Sequence, residues 1–249
     1  MQSDINPQQW REQLNSRLNE AATEQHLYLI LSGTSEGEIL RNYYDQGGTD
    51  AQPLWLNTPY SEWQEVMPYL VEITADHAFL TWLDEHQAEY PDWGVALLSE
   101  FPMDVVFTHF ESLTKISLSS GKEVFFRYWD APQSQPVLTL CDAQGRAELM
   151  GPVSNWLSSQ GGIEHPDEPR VIGKSFPWWV LSEALATALF EQNPEILKQN
   201  LKQRLIDAHY DSIDGMSESQ LDVRLGAFIQ NNPDGNVKEL LKYLSRWQR

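Results

Sequence analysis

The sequence predicts an α/β (α+β) N-terminal lobe with a mixed sheet over residues 1–160, followed over 161–249 by a linker and an all-helical C-terminal lobe. Three observations carry this. Short apolar runs alternate with helix-period stretches through about the first 155 residues, the pattern of strands joined by helices. Two strand-like runs flank Ser120-Gly121 and read as a hairpin, which adds an antiparallel pair to the sheet. From Trp178 onward the apolar spacing is helical.

Taken in order, Asn6-Pro7 starts a helix, because proline suits the first helical position, and Trp10, Leu14 and Leu18 follow at helical spacing. Leu27 to Leu31 is a buried-type strand, and Glu36 to Tyr44 a helix that ends at Gly47-Gly48. Pro53 to Leu56 is a short extended piece, Thr58-Pro59 starts a helical turn, and Tyr69 to Ile73 is a strand. His77 to Tyr90 is helical, with Phe79, Leu80 and Leu83 on one side, and Pro91 closes it. Gly94 to Ser99 is the next strand, and Pro102 opens a helix through about Leu113. Lys115 to Ser119 and Lys122 to Trp129 form the hairpin, and Ala131-Pro132 leads into a helix with Val137, Leu138 and Leu140.

The stretch Ser158 to Arg170, with Gly161-Gly162, Pro166 and Pro169, reads as the boundary between lobes, with a strand through Ile163 or Val171 left open. Beyond it Leu181, Leu185, Ala188 and Leu189 form one helical stripe. Asn193-Pro194 caps a second helix with Ile196, Leu197, Leu201 and Leu205. Ser217 with Gln220, and Asn236 with Glu239, are capping-box pairs before further leucine-bearing helices.

Composition narrows the function classes. The net charge of −19 opposes binding to nucleic acid and to anionic membranes, both of which require lysine and arginine. It favours solubility and complementarity to a basic partner. No apolar run approaches the roughly 20 residues of a membrane span, and the N-terminus shows no secretory signal, so a cytoplasmic protein without membrane insertion is expected. The single cysteine, Cys141, forms no internal disulfide, and the scattered histidines form no metal motif. No metal and no cofactor is expected.

One catalytic pattern stands out. Gly33-Thr34-Ser35-Glu36-Gly37 fits the G-x-S-x-G elbow of α/β-hydrolases, between a strand and a helix, with Asp104, Asp130, His109 and His165 as nominal partners of a Ser35 nucleophile. Only 32 residues precede it, too few for the upstream strands and oxyanion loop of that fold, so the plainer reading is a strand-to-helix turn. His165-Pro166-Asp167 matches the J-domain tripeptide, but no basic helix leads into it.

Several segments occur in an informative order: Pro53-Leu54-Trp55, Pro68-Tyr69-Leu70-Val71, Trp93-Gly94 leading into Val95 to Ser99, Phe126-Arg127-Tyr128-Trp129-Asp130, and Gly151-Pro152-Val153 with Trp156. Together they resemble the type VI secretion effector chaperones, also called adaptors. The Phe-Arg-Tyr-Trp-Asp string resembles that family's landmark, with Ala131 intervening before Pro132. The resemblance covers residues 25 to 156. It implies a non-enzymatic protein that binds one cognate toxic effector and helps load it onto the spike protein of the secretion apparatus. An immunity protein is the remaining alternative of similar size and charge.

In this reading Trp55, Tyr69, Trp93, Gly94, Phe126, Arg127, Tyr128, Trp129, Asp130 and Trp156 are structural, with Phe126, Tyr128 and Trp129 on an alternating strand. Arg127 either pairs with Asp130 or the following turn, or reaches the partner. Phe176-Pro177-Trp178-Trp179 concentrates three aromatics and is the candidate partner surface, with packing between the lobes as the competing role.

Overall fold

A computed structural model describes residues 9–20, 24–192, 202, 218–231, 240 and 242–244. The chain divides into two compact units, Met1–Leu181 and Ser182–Arg249.

The first unit is built on a six-stranded sheet. Its strands are β1 (His26–Leu31), β2 (Gln52–Pro53), β3 (Tyr69–Ile73), β4 (Gly94–Ser99), β7 (Val153–Ser158) and β8 (Gly161–Glu164), in the order β2-β3-β1-β4-β7-β8. A second, three-stranded sheet takes β5 (Lys115–Leu118), β6 (Glu123–Phe125) and β9 (Val180–Leu181), in the order β6-β5-β9. Helices α1 (Gln9–Glu20), α2 (Ile39–Asp45), α3 (Ala78–His86), α4 (Met103–Ser112), α5 (Ala131–Leu140) and α6 (Ala143–Met150) complete it.

Every pairing in the large sheet is antiparallel. The sequence predicts a mixed sheet, and the difference has a topological cause. Helix α3 does connect two parallel strands, β3 and β4, as the alternation suggests. Strand β1 lies between them and pairs antiparallel with both, so the two parallel strands never touch. The mixed character sits in the small sheet, where β5 pairs antiparallel with β6 and parallel with β9.

The central strands are apolar because both faces of the sheet are covered. Side chains alternate across a strand, so Leu27, Leu29 and Leu31 of β1 face one way and Tyr28 and Ile30 the other. The first face packs with Ala96, Leu98, Val71 and Ile73 of its neighbours against Trp10 and Leu14 of α1, Ile39 and Tyr43 of α2, and Phe79, Leu80 and Leu83 of α3. On β7, Trp156 meets Phe110 of α4 at 5.5 Å between ring centroids, and Phe110 meets Tyr128 at 5.3 Å. Each such aliphatic or phenyl side chain withdrawn from water contributes about 1.5–3 kcal/mol before entropy is charged against it.

Gly94 is required where β4 begins. Its φ is +142°, and a Cβ there would run into the Ile30 carbonyl oxygen on the paired strand. Gly33, just past β1, is as confined: a Cβ would meet the Met67 carbonyl oxygen.

The stretch expected to separate two lobes at residue 160 instead closes the large sheet. The strand left open through Ile163 is β8, with Ile163 opposite Trp156 of β7. The first unit accordingly runs on to Leu181, where β9 joins the small sheet. Trp178 to Leu181 are therefore not helical, and α7 begins at Glu183 (Glu183–Gln192). The second unit is described at α7, at α8 (Glu218–Asn231) and at the short segment 242–244. Leu221, Leu225, Phe228, Leu240 and Leu244 are buried, and the Phe228 and Tyr243 rings lie 5.5 Å apart. The helix starts at Asn6-Pro7 and Asn193-Pro194, the apolar stripe Ile196 to Leu205, the caps Ser217 and Asn236, and Leu241 lie outside the described residues.

Candidate functional site

The landmark Phe126 to Asp130 is not the end of a strand. Strand β6 stops at Phe125, and the next five residues form a turn that leads into α5. The Phe126 amide donates to the Thr114 carbonyl (3.2 Å) and the Asp130 amide to the Arg127 carbonyl (3.1 Å). Leaving the period-2 geometry lets three aromatics turn inward together, which a strand forbids. Phe126, Tyr128 and Trp129 are all buried. Phe126 stacks on Trp179, Tyr128 packs on Phe110, and Trp129 meets Trp55 edge-on at 5.6 Å.

Arg127 and Asp130 hold this turn to the loop after β1. Arg127 Nη2 donates to Asp130 Oδ2 and to Thr34 Oγ1, each at 3.0 Å. Asp130 also accepts from Gln133 Nε2 at 2.9 Å. Burial pushes the Asp130 carboxyl above the usual carboxylate range. Arg127 draws it down, and the nearby Asp92 charge adds to the rise. Desolvation therefore outweighs the pair, as expected when a carboxylate is sealed and its partner is not.

Ser35 lies in the same loop, and its hydroxyl donates to Asp92 Oδ1 at 2.8 Å. The nominal triad partners are engaged elsewhere. His109 Nε2 bonds the Leu149 carbonyl (3.0 Å), His165 Nδ1 the Pro166 carbonyl (2.6 Å), and Asp104 its neighbour's amide (2.9 Å). Strand β1 is antiparallel to both neighbours, unlike the parallel nucleophile strand of an α/β-hydrolase sheet. The tripeptide His165-Pro166-Asp167 follows strand β8, not a helix. Among the described residues no group of three or more His, Cys, Asp or Glu side chains is placed to hold a metal ion. No described helix is long and apolar enough to cross a membrane.

The segment Phe176 to Trp179 packs within the first unit. Trp179 is buried on Phe126, and its carbonyl accepts from the Ser117 amide at 2.9 Å. Trp178 is half-buried, with Nε1 donating to Ser112 Oγ at 3.0 Å, and Phe176 is half-buried too. Trp55, Trp93, Gly94 and Trp156 are buried and Tyr69 is half-buried.

Sequence reasoning missed a stretch, residues 54–67, that carries three exposed large apolar side chains. Trp55 is its buried centre and touches Phe125 (5.5 Å), Tyr60 (6.2 Å) and Trp63 (6.5 Å); Tyr60 and Phe125 meet at 4.7 Å. Lys115 Nζ stands 5.1 Å from the Tyr60 ring and 5.4 Å from that of Phe125, and pairs with Glu123 at 3.5 Å. Trp63 is nonetheless 49% exposed, and Leu56 (54%) and Val66 (40%) in the same stretch also face solvent. A readable signal was present: Trp55, Tyr60 and Trp63 fall within nine residues of a stretch too rich in turn formers to be a helix or strand.

Residues 27–148, from β1 into α6, match the model of a family described as Domain of unknown function (DUF4123). No curated protein and no solved structure matches the chain. The matched segment contains Trp55, Trp93, the Arg127–Asp130 turn and the 54–67 surface. Over residues 27–148 the chain is similar to the DUF4123 family, which is associated with type VI secretion effector chaperones and adaptors.

Proposed function

We propose that this chain is a non-enzymatic, cytoplasmic adaptor that binds one toxic effector of a type VI secretion system and helps load it onto the spike protein. The observation that carries the reading is the half-exposed Trp63, packed on the buried Trp55, with Leu56 and Val66 exposed in the same short stretch, inside the segment that matches the family. Large apolar side chains held rigidly at a surface are what a protein interface desolvates, and tryptophan is the commonest anchor. The family's landmark residues are occupied with holding the scaffold, which leaves recognition to surfaces such as this one.

The test is co-purification of the tagged full chain with the effector encoded beside it, and the same with Leu56→Ser/Trp63→Ala. Loss of a hot-spot tryptophan costs about 2 kcal/mol or more, so capture should weaken about 30-fold. Unchanged capture sinks the assignment of the surface. Deleting the gene in the producing cell should abolish effector export and leave self-protection intact; loss of self-protection points to an immunity protein instead. Labelling by a serine-reactive probe that disappears in Ser35→Ala would overturn the non-enzymatic reading.

A further inference from the structure

A cavity of about 590 Å³ opens between the turn at Asn57-Thr58, helix α4 and residues 173–176. That is within the range of ligand pockets, roughly 300–1,000 Å³. Its wall has an unusual chemistry. Three lining hydroxyls have already given their protons to backbone carbonyls: Thr58 to Trp55 (2.8 Å), Thr108 to Asp104 (2.8 Å) and Ser112 to His109 (2.5 Å). Thr58 Oγ1 also accepts the Tyr60 amide (3.1 Å) and Ser112 Oγ the Trp178 indole (3.0 Å), so each of these two keeps one lone pair to offer and Thr108 keeps both.

The fourth acceptor is Glu111. Its Oε1 is sealed from solvent and has no hydrogen-bond partner. Burial raises the carboxyl's pKa, and only the Asn57 amide beside it pulls the other way. The Tyr128 hydroxyl, also buried and without a partner, feels the Glu111 charge. Glu111 as a whole is only half-buried and lines the cavity, so a cation seated there would meet the carboxylate's charge. Lys174, the one cationic side chain among the described lining residues, stands over the Trp178 ring at 5.8 Å and forms no ion pair with Glu111.

We propose that this cavity receives an arginine side chain of the protein partner, with Glu111 taking the guanidinium charge and the Thr58, Thr108 and Ser112 oxygens its remaining N–H groups. A guanidinium is donor-only, with five N–H groups in a fixed fork, and so complements the Glu111 carboxylate and the hydroxyl oxygens beside it. The net charge of −19 draws a basic segment towards the surface at long range. The inference rests on the adaptor reading for the source of the arginine.

The test uses the full chain and two small probes, N-acetyl-arginine amide and its neutral isostere N-acetyl-citrulline amide. The reporter is the Trp178 indole N–H resonance, assigned with W178F, because that group bonds the Ser112 hydroxyl of the wall. The arginine probe should shift it saturably, with a Kd in the range of about 1–10 mM expected for one side chain. Binding should weaken about tenfold for the citrulline probe and for E111Q, and severalfold for T108V, whose position is exposed and tolerates the change. Equal responses to both probes, undiminished binding by E111Q, or no arginine-specific shift would each overturn the proposal. Purified effector separates the two readings. If it binds wild type and E111Q equally, the cavity inference fails and the adaptor reading stands. If it does not bind wild type, the adaptor reading fails and the titration alone decides the cavity's chemistry.

Discussion

Replacing Arg127 with methionine isolates what holds the landmark turn. The change keeps an unbranched apolar stem and removes two charge-assisted hydrogen bonds, to Asp130 and to Thr34, both at 3.0 Å. Breaking a fully buried pair from one side costs about 3–5 kcal/mol. Here the arginine side chain is 38% exposed and that of Asp130 only 8%. Asp130 also keeps the Gln133 amide at 2.9 Å. Both facts shrink the loss to about 1–2 kcal/mol. At about 2–4 °C per kcal/mol for a chain of this size, Tm should fall by about 2–8 °C. Tryptophan fluorescence and calorimetry would record it.

The pH dependence has a definite sign. Arg127 is the largest influence drawing the Asp130 carboxyl down, so R127M raises that carboxyl further. An acid whose folded pKa is raised binds its proton more tightly in the native state. R127M should therefore regain stability as pH falls through that folded pKa, and its deficit should be fully present above it. Adding Asp130→Asn should rescue most of the loss at neutral pH. If R127M melts with the wild type, or if D130N gives no rescue, the account of the turn is wrong.

Other outcomes follow from single positions. Gly94→Ala should cost about 3 kcal/mol or more, read from a lowered urea midpoint, because it combines left-handed strain with a collision into the β1 backbone. Burial holds the His109 imidazole down to about 4, so NMR should find it neutral to near that pH. Its contribution is intact above the ordinary value near 6.5 and is lost as pH falls towards 4, an effect on the order of 3 kcal/mol that His109→Gln should flatten. Burial pushes the Cys141 thiol up to about 12, so iodoacetamide at pH 8 should label it only after unfolding.

Strands β1 and β4 were legible in the sequence because each is a short run buried on both faces, and β3 because it is mostly apolar with only Glu72 exposed; burial of that kind leaves a local mark. Their pairing was not. Whether α3 joins adjacent parallel strands or spans an intervening one is decided by β1, tens of residues away in sequence. Helix α6 left little trace: it carries Gly145 and weak apolar periodicity, although the Asp142 side chain caps it by accepting from the Gly145 amide at 2.7 Å. Strand β7 was overlooked behind Gly151-Pro152. The alternation of residues 122–129 suggested a strand through Trp129. The amide of Phe126 instead bonds the Thr114 carbonyl, and the pattern ends there. The ordered segments were enough to point to the family, but the Arg127–Thr34 clasp joins residues 93 apart and only the fold displays it. The cavity is likewise assembled from three distant stretches.

The late arrival of β9 sets the limits of any shortened version of this molecule. A fragment that stops at residue 160 lacks β8 and leaves β7 as a bare sheet edge. It also lacks Trp179, which covers Phe126 and whose carbonyl accepts the Ser117 amide. Unpaired edges and an uncovered aromatic are recipes for aggregation. Cutting after Leu181 keeps every strand of both sheets, so expression trials of the first unit alone should succeed from that boundary and fail from the earlier one.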